Sequence, residues 1–191
     1  MEVNSQVKDV ASVEVLESQI RECFGRVVYT HKTHEKCADI CLMKDSRIKQ
    51  LQIILSAGSL IVTLFSKDSQ VGIIIGAIYS TVLLATNMYT KKYDLGKIAQ
   101  KHSATANSLW NIRESYFSLL ADIRCGDLDV NSIRKERDYL QKTLSGIYKG
   151  APITDDEAYS KAYKSLKKHE EMTFSDDEID AFLPKQLKKY S

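Results

Sequence analysis

The sequence predicts an all-α membrane protein: a two-span transmembrane helical hairpin with long antiparallel cytosolic helical extensions and short C-terminal helices. Three observations predict it. No charge occurs from Gln50 through Ser66, nor from Ser69 through Thr90, giving windows of 17 and 22 residues rich in Ile, Leu and Val. An apolar helix of that length crosses a hydrocarbon core about 30 Å thick. Only eight Gly and two Pro are present, and the flanking segments carry helical hydrophobic periodicity, so no sheet is expected. Finally, Lys32, Lys36, Lys44, Arg47, Lys49, Lys91, Lys92, Lys97 and Lys101 flank the outer ends of the spans, whereas the turn between them holds only Lys67. By the positive-inside rule both termini face the cytosol.

Taken in order, residues 1–29 form an N-terminal cytosolic helical segment. Its opening, MEVNSQVKDVASVEV, lacks the apolar core of a signal peptide, so insertion is expected to rely on the internal spans. Ser12 is placed to cap a helix from Val13 to Phe24, and Gly25 to break it. Residues 30–126 form the hairpin proper, with spans at about 48–65 and 71–89. A continuous helix is expected from about Thr30 to Phe65, because HKTHEKCADICLMKDSRIKQ contains no Pro or Gly and leads straight into the first span. Ser66 to Gln70 supply the turn. Tyr89 and Tyr93 stand where interfacial aromatics belong. The competing fold is a soluble bundle with a buried central hairpin, since the strictly apolar part of the first span is only about 22 Å long.

Beyond the second span the helix is expected to run unbroken from Asn87 to Cys125, about 58 Å. Ile98, His102, Thr105, Leu109, Ile112, Tyr116, Leu119 and Ile123 recur at alternating spacings of four and three, a heptad seam. A tight turn across the membrane returns the two arms side by side, so Ile20, Phe24, Val28, His31, His34, Ala38 and Cys41 or Leu42 are expected to meet that seam. Residues 127–191 form C-terminal cytosolic helices. Cys125-Gly126-Asp127 reads as a stop and a new start, with Asp127 or Asp129 as cap. The next helix turns Ile133, Leu140, Leu144 and Ile147 or Tyr148 inward, and Pro152 ends it. Two S/T-x-x-E capping boxes, from Thr154 and from Ser175, start short helices at about 155–171 and 176–182. Ile179, Phe182, Leu183 and Leu187 are the expected anchors of the last.

Function must be sought in the membrane and the stalk. Net charge is +2, too small for a general affinity for DNA. No Gly-rich phosphate loop, nucleophile elbow, kinase signature or paired-carboxylate motif is present, so no enzymatic activity and no cofactor are expected. Cys23, Cys37, Cys41 and Cys125 fall in cytosolic segments and are expected as free thiols. His31, His34, Cys37 and Cys41 carry metal-ligand chemistry, but on one helix the first and last lie about 15 Å apart along the axis; metal binding would need a second chain. Within the spans, Gly72, Gly76 and Ser80 form a small-residue face suited to close helix approach, within the hairpin or between protomers. Neither span holds an Asp, Glu, Lys, Arg or His in its core, which disfavours ion-coupled transport. A pore built from several copies would be lined by hydroxyls and amides: Ser56, Ser59, Thr63, Thr81 and Asn87.

The run LWNIRESYFSLLADIRCGDL, then RKERDYLQKTLSGIYKGAPIT, AYSKAYKSL and EEMTFSDDEIDAFLP, resembles the SLATT family, two-span membrane effectors found beside bacterial nucleotide second-messenger synthases and reverse transcriptases. Trp110, Arg113, Tyr116 and Asp122 on the long helix carry the most specific part, with Arg137-Asp138, Tyr148 and Pro152. The resemblance implies a pore-forming antiviral effector in the bacterial inner membrane, a homo-oligomer that permeabilises the membrane in abortive infection when a partner or nucleotide signal triggers it. The alternative is a membrane-anchored scaffold whose stalk recruits a cytosolic partner without pore activity.

Overall fold

The computed structural model describes residues 2–65, 69–168, 170–172 and 175, with side chains described from Ala11 onward. Five helices follow in order: α1 (Glu2–Phe65), α2 (Gln70–Lys92), α3 (Leu95–Cys125), α4 (Val130–Gly150) and α5 (Asp156–Lys168). No strand occurs among the described residues. α1 runs from the distal end of the stalk into the membrane; α2 returns antiparallel to it, and α3 continues down the stalk against the first half of α1.

The membrane hairpin exposes its apolar side chains. Ile53, Ile54, Leu60, Ile61 and Leu64 on α1, and Ile73, Ile74, Ile78 and Leu84 on α2, all lie on the outer surface. In the most apolar stretch of each helix 0% and 6% of residues are buried. A soluble bundle would bury such helices, because leaving an Ile or Leu in water forfeits about 1.5–3 kcal/mol each. The apolar surface is therefore the lipid contact, and the soluble alternative fails.

The stalk core forms where three helices meet. Leu16, Ile20, Cys23 and Val27 of α1 pack on Leu109, Ile112, Tyr116, Leu119 and Ile123 of α3, and Ile133 and Leu140 of α4 close the cluster. The α3 seam follows the heptad read from sequence, except that Ile98 is half-buried and Ala99 beside it is buried. On α1, Ile20, His31, His34 and Ala38 are buried as expected, but Cys23 and Val27 take the places expected of Phe24 and Val28, which flank the seam half-buried, and Leu42 is exposed.

Three expected helix boundaries are corrected. Ser12 does not cap a helix start, because α1 begins at Glu2 and runs through it. Gly25 does not break α1 either; Cys23 and Val27, buried on either side, outweigh the ~1 kcal/mol that an interior glycine costs. Conversely, the helix expected from Asn87 to Cys125 is interrupted at Tyr93-Asp94, where ψ reaches 91° and 84°. The Asp94 carboxylate accepts from the Lys97 amide at 2.9 Å and starts α3 as an N-cap, a competition Asp commonly wins over helix continuation.

At the far end Gly126 takes the left-handed conformation at φ 77°, and the Asp127 amide donates to the Asp122 carbonyl at 3.3 Å, closing α3 as a glycine C-cap does. Asp129 caps α4 through Ser132 N–H at 2.8 Å. α4 returns along the stalk with Leu144 and Ile147 half-buried on the core and Tyr148 more exposed. α5 is capped by Asp155, whose carboxylate accepts from Ala158 N–H at 2.7 Å, in place of the expected Thr154. It packs Ala158 on Cys37 and Ile40 of α1. The expected helix 176–182 and its anchors lie outside the described residues.

Candidate functional site: the hairpin and the stalk behind it

Small residues set the distance between α1 and α2. A Cβ on Gly58 would stand 2.8 Å from Tyr79 Cε1, and one on Gly76 would stand 3.8 Å from Val62. Gly72 is buried, and Ser80 is exposed. Of the small face of α2, Gly76 thus stands opposite Val62 of α1, while Ser80 points out of the hairpin. Tyr79 lying over Gly58 was not legible beforehand; the signal was a lone Gly in the SAGS run and an aromatic in the middle of the second span.

The hydroxyls lie elsewhere. Ser56 donates to Gln52 O, Thr63 to Ser59 O and Thr81 to Ala77 O, each at 2.8 Å. These bonds satisfy the donors inside their own helices, but all three side chains sit on the outer surface of the hairpin; Ser59 is half-buried and Asn87 exposed. At the stalk end of the hairpin the Gln52 amide donates to Asn87 Oδ1 at 2.9 Å and reaches Thr90 Oγ1 at 3.5 Å. Gln52, a polar residue in an apolar run, ties the two spans together just where they meet the stalk.

Behind the hairpin a polar layer joins α1 to α3. His34 Nδ1 and His102 Nδ1 are 2.9 Å apart, so one ring donates and the other accepts. Burial, then the facing His102 and His31, lowers the His34 pKa to about 4; burial lowers that of His102 while Asp155 opposes the shift. His31 is likewise lowered by burial, against the pull of Glu35, with Arg113 and Lys32 adding to the fall. Neutral imidazoles thus fill this layer near pH 7. Cys37 and Cys41, expected with the histidines as ligand types, are pushed up in pKa by burial, and no group of three or more His, Cys, Asp or Glu among the described residues is arranged to hold a metal ion.

The four stalk residues singled out by sequence do not converge. The Arg113 guanidinium lies 4.3 Å from the Trp110 ring centre, and that ring is 5.8 Å from His31. Arg113 also pairs with Glu114 at 3.2 Å and points Nη1 at Met172 Sδ, 3.6 Å away. Tyr116 faces another way, into the three-helix core. Asp122 is exposed near the end of α3 and serves through its carbonyl.

A lysine clamp escaped the sequence reading altogether. Lys32, nearly buried, meets Glu171 at 2.7 Å and Glu35 at 3.0 Å, with Lys36 at 3.9 Å from Glu171. Burial works against the Lys32 charge, but the two carboxylates outweigh it and raise the pKa. The clamp fixes the segment after α5 to α1. Its partners are far apart in sequence, so no local pattern announces it.

The comparison with protein families decides the identity. The family model described as SMODS and SLOG-associating 2TM effector domain family 4 matches residues 16–178. The chain belongs to this family. No curated protein and no solved structure matches it. As a SLATT family member the chain is a two-span, defence-associated membrane effector tied to SMODS and SLOG nucleotide-signalling systems, and its two exposed apolar helices are the two spans that the family description requires.

Proposed function

We propose that this SLATT protein is a non-enzymatic antiviral effector that oligomerises in the bacterial inner membrane, with both termini cytosolic, and permeabilises it in abortive infection when a partner system or nucleotide signal acts on the stalk. The observation that carries the reading is the place of the span hydroxyls. Ser56 and Thr63, seven residues apart and hence on one side of α1, and Thr81 on α2 all lie outside the hairpin. In a single copy they meet lipid. In a ring of copies they meet one another or water, which is where membrane proteins place polar side chains. Two helices enclose no lumen, so a pore needs several chains, and cyclic symmetry is the default for identical ones. A companion reverse transcriptase or nucleotide second-messenger synthase is the expected partner class.

The test is a voltage-sensitive dye together with colony counts on cells overproducing the protein. Wild type is expected to depolarise the membrane, and chemical crosslinking is expected to give species above the dimer. The double variant Ser56→Leu, Thr63→Leu keeps insertion, because Leu is better tolerated in lipid, and is expected to lose at least about tenfold of the leak, as loss of a polar lining would require. Equal depolarisation by wild type and double variant overturns the hydroxyl-lined pore. A monomer in resting and triggered cells leaves the anchor reading.

A further inference from the structure

An open apolar cleft runs along the stalk between α1 and α3, on the distal side of the lysine clamp. It has two lobes, of about 410 and 430 Å³. They share Phe24 and Phe117, whose ring centres stand 6.2 Å apart. Val28 extends the apolar floor toward the membrane, and Leu120 toward the distal end. At the centre of this floor Phe117 stays 60% exposed. A phenyl ring left in water inside an apolar groove is an unfinished contact, because covering it is favourable.

The charge of the rim is one-sided. In the distal lobe Arg21 on α1 and Arg124 on α3 share a single carboxylate, Glu17, at 3.7 and 3.9 Å, and both arginine side chains are mostly exposed. In the other lobe Lys167 adds a cation, while Arg113 is matched by Glu114 at 3.2 Å. An apolar floor between basic rims fits an amphipathic segment with an apolar face and acidic flanks.

The chain carries such a segment and delivers it to the cleft. Met172 lines the membrane-proximal lobe, with its sulfur 3.6 Å from Arg113, and the neighbouring Glu171 is held by Lys32 at 2.7 Å. The sequence beyond includes SDDEIDAFLP, residues 175–184. On the helix expected at about 176–182, Ile179, Phe182 and Leu183 share one face by their spacing of three and four. Glu178 falls on one flank of that face, and Asp176 and Asp180 on the other. The span also fits. Arg113 and Arg124 are about 16 Å apart along α3, and the six steps from Met172 to Glu178 reach up to about 20 Å.

We propose that residues 176–183 dock in this cleft of their own chain, with Phe182 and Leu183 over Phe117 and Leu120, and with Glu178 and Asp180 against Arg21 and Arg124. The docked segment straps α1 to α3 across the distal half of the stalk. The contact lies wholly in the stalk and stands whether or not the spans conduct.

The test is disulfide trapping in the full chain in detergent, with the four native cysteines replaced. Ala121→Cys lies in the distal lobe and Leu183→Cys on the apolar face of the segment. Mild oxidation is expected to join them within one chain, seen as a monomer of altered gel mobility. Tyr139→Cys, on the exposed side of α4, is paired with the same Leu183→Cys as a control. It is expected to react at least about tenfold more slowly, since a disulfide needs its Cβ atoms within about 4.5 Å. Circular dichroism checks that each variant keeps its helices. Reversing Arg21→Glu and Arg124→Glu is expected to slow trapping about fivefold, as two surface ion pairs of ordinary strength imply. Adding Glu178→Lys and Asp180→Lys is expected to restore it. Equal rates at Ala121→Cys and Tyr139→Cys, no bond at Ala121→Cys, or trapping indifferent to the arginine reversal overturns the proposal. A bond formed between two chains also overturns it and gives the cleft to a second copy.

Discussion

His34 and His102 show how one contact between residues sets a pH limit. Their Nδ1 atoms stand 2.9 Å apart, a geometry that only neutral or singly protonated rings share. The His34 pKa is lowered from the ordinary 6.5 to about 4. Between those values the unfolded chain takes up a proton that the folded one refuses, so stability rises with pH through this window. The contribution is present in full above about pH 6.5 and is lost as pH falls toward 4. Thermal unfolding of the detergent-solubilised protein should therefore drop by several °C from pH 7 to pH 4.5, at about 2–4 °C per kcal/mol for a chain of this size. His102→Gln keeps a donor and an acceptor without a titrating ring, and is expected to flatten the slope without abolishing the fold. An unchanged slope in that variant would place the pH dependence elsewhere. The pairing itself was not legible beforehand. His34 and His102 each fell on a predicted stripe, and both are buried where expected, but two stripes alone do not say which residue of one stands opposite which residue of the other.

At the scale of the element, glycines separate what packing needs from what the chain tolerates. A Cβ on Gly58 collides with Tyr79 at 2.8 Å, whereas one on Gly25 meets nothing within 4 Å. Gly25→Ala is expected to stabilise the protein by about 0.5–1 kcal/mol, since both residues adopt the helical conformation and Ala has less backbone freedom to lose. Gly58→Val is expected to separate the spans and cost about 1–3 kcal/mol, the usual range for overpacking. Denaturation of both variants in the same detergent reads the sign directly. The two glycines look alike in sequence. Helix existence was legible for the spans, α3 and α4, because their periodicity and apolar runs are long signals, and so was the stop at Gly126, but other boundaries were not. Gly25 looked like a stop and packing overrode it; Asp94 lay inside a helix expected to run unbroken, and its cap on the Lys97 amide ended that helix.

For the whole molecule, the proposed orientation rests on the basic residues that flank the outer ends of the two spans. In a variant stripped of its four native cysteines, a cysteine at Ser69 should react with a membrane-impermeant reagent from outside the inner membrane, while one at Ser5 stays protected until the cells are broken. Labelling of Ser5 from outside would invert the topology. The hairpin, the stalk and their order could be read from the chain because charge windows and heptads are linear patterns. The polar layer, the lysine clamp and the stalk cleft could not, because each joins side chains from helices that meet only after folding.

The unequal construction of the two arms has a mechanical consequence. α1 is one rod of 64 residues, about 96 Å at 1.5 Å per residue, from the distal stalk to the far side of the membrane. Its neighbour is jointed at Tyr93-Asp94. A rotation imposed on α1 at Leu16 or Ile20 meets no break in the helix before Ser56 and Thr63. The joint lets α2 stay seated while α3 yields. One arm is an axle and the other a hinged bracket, so a torque on the stalk turns the first span against the second.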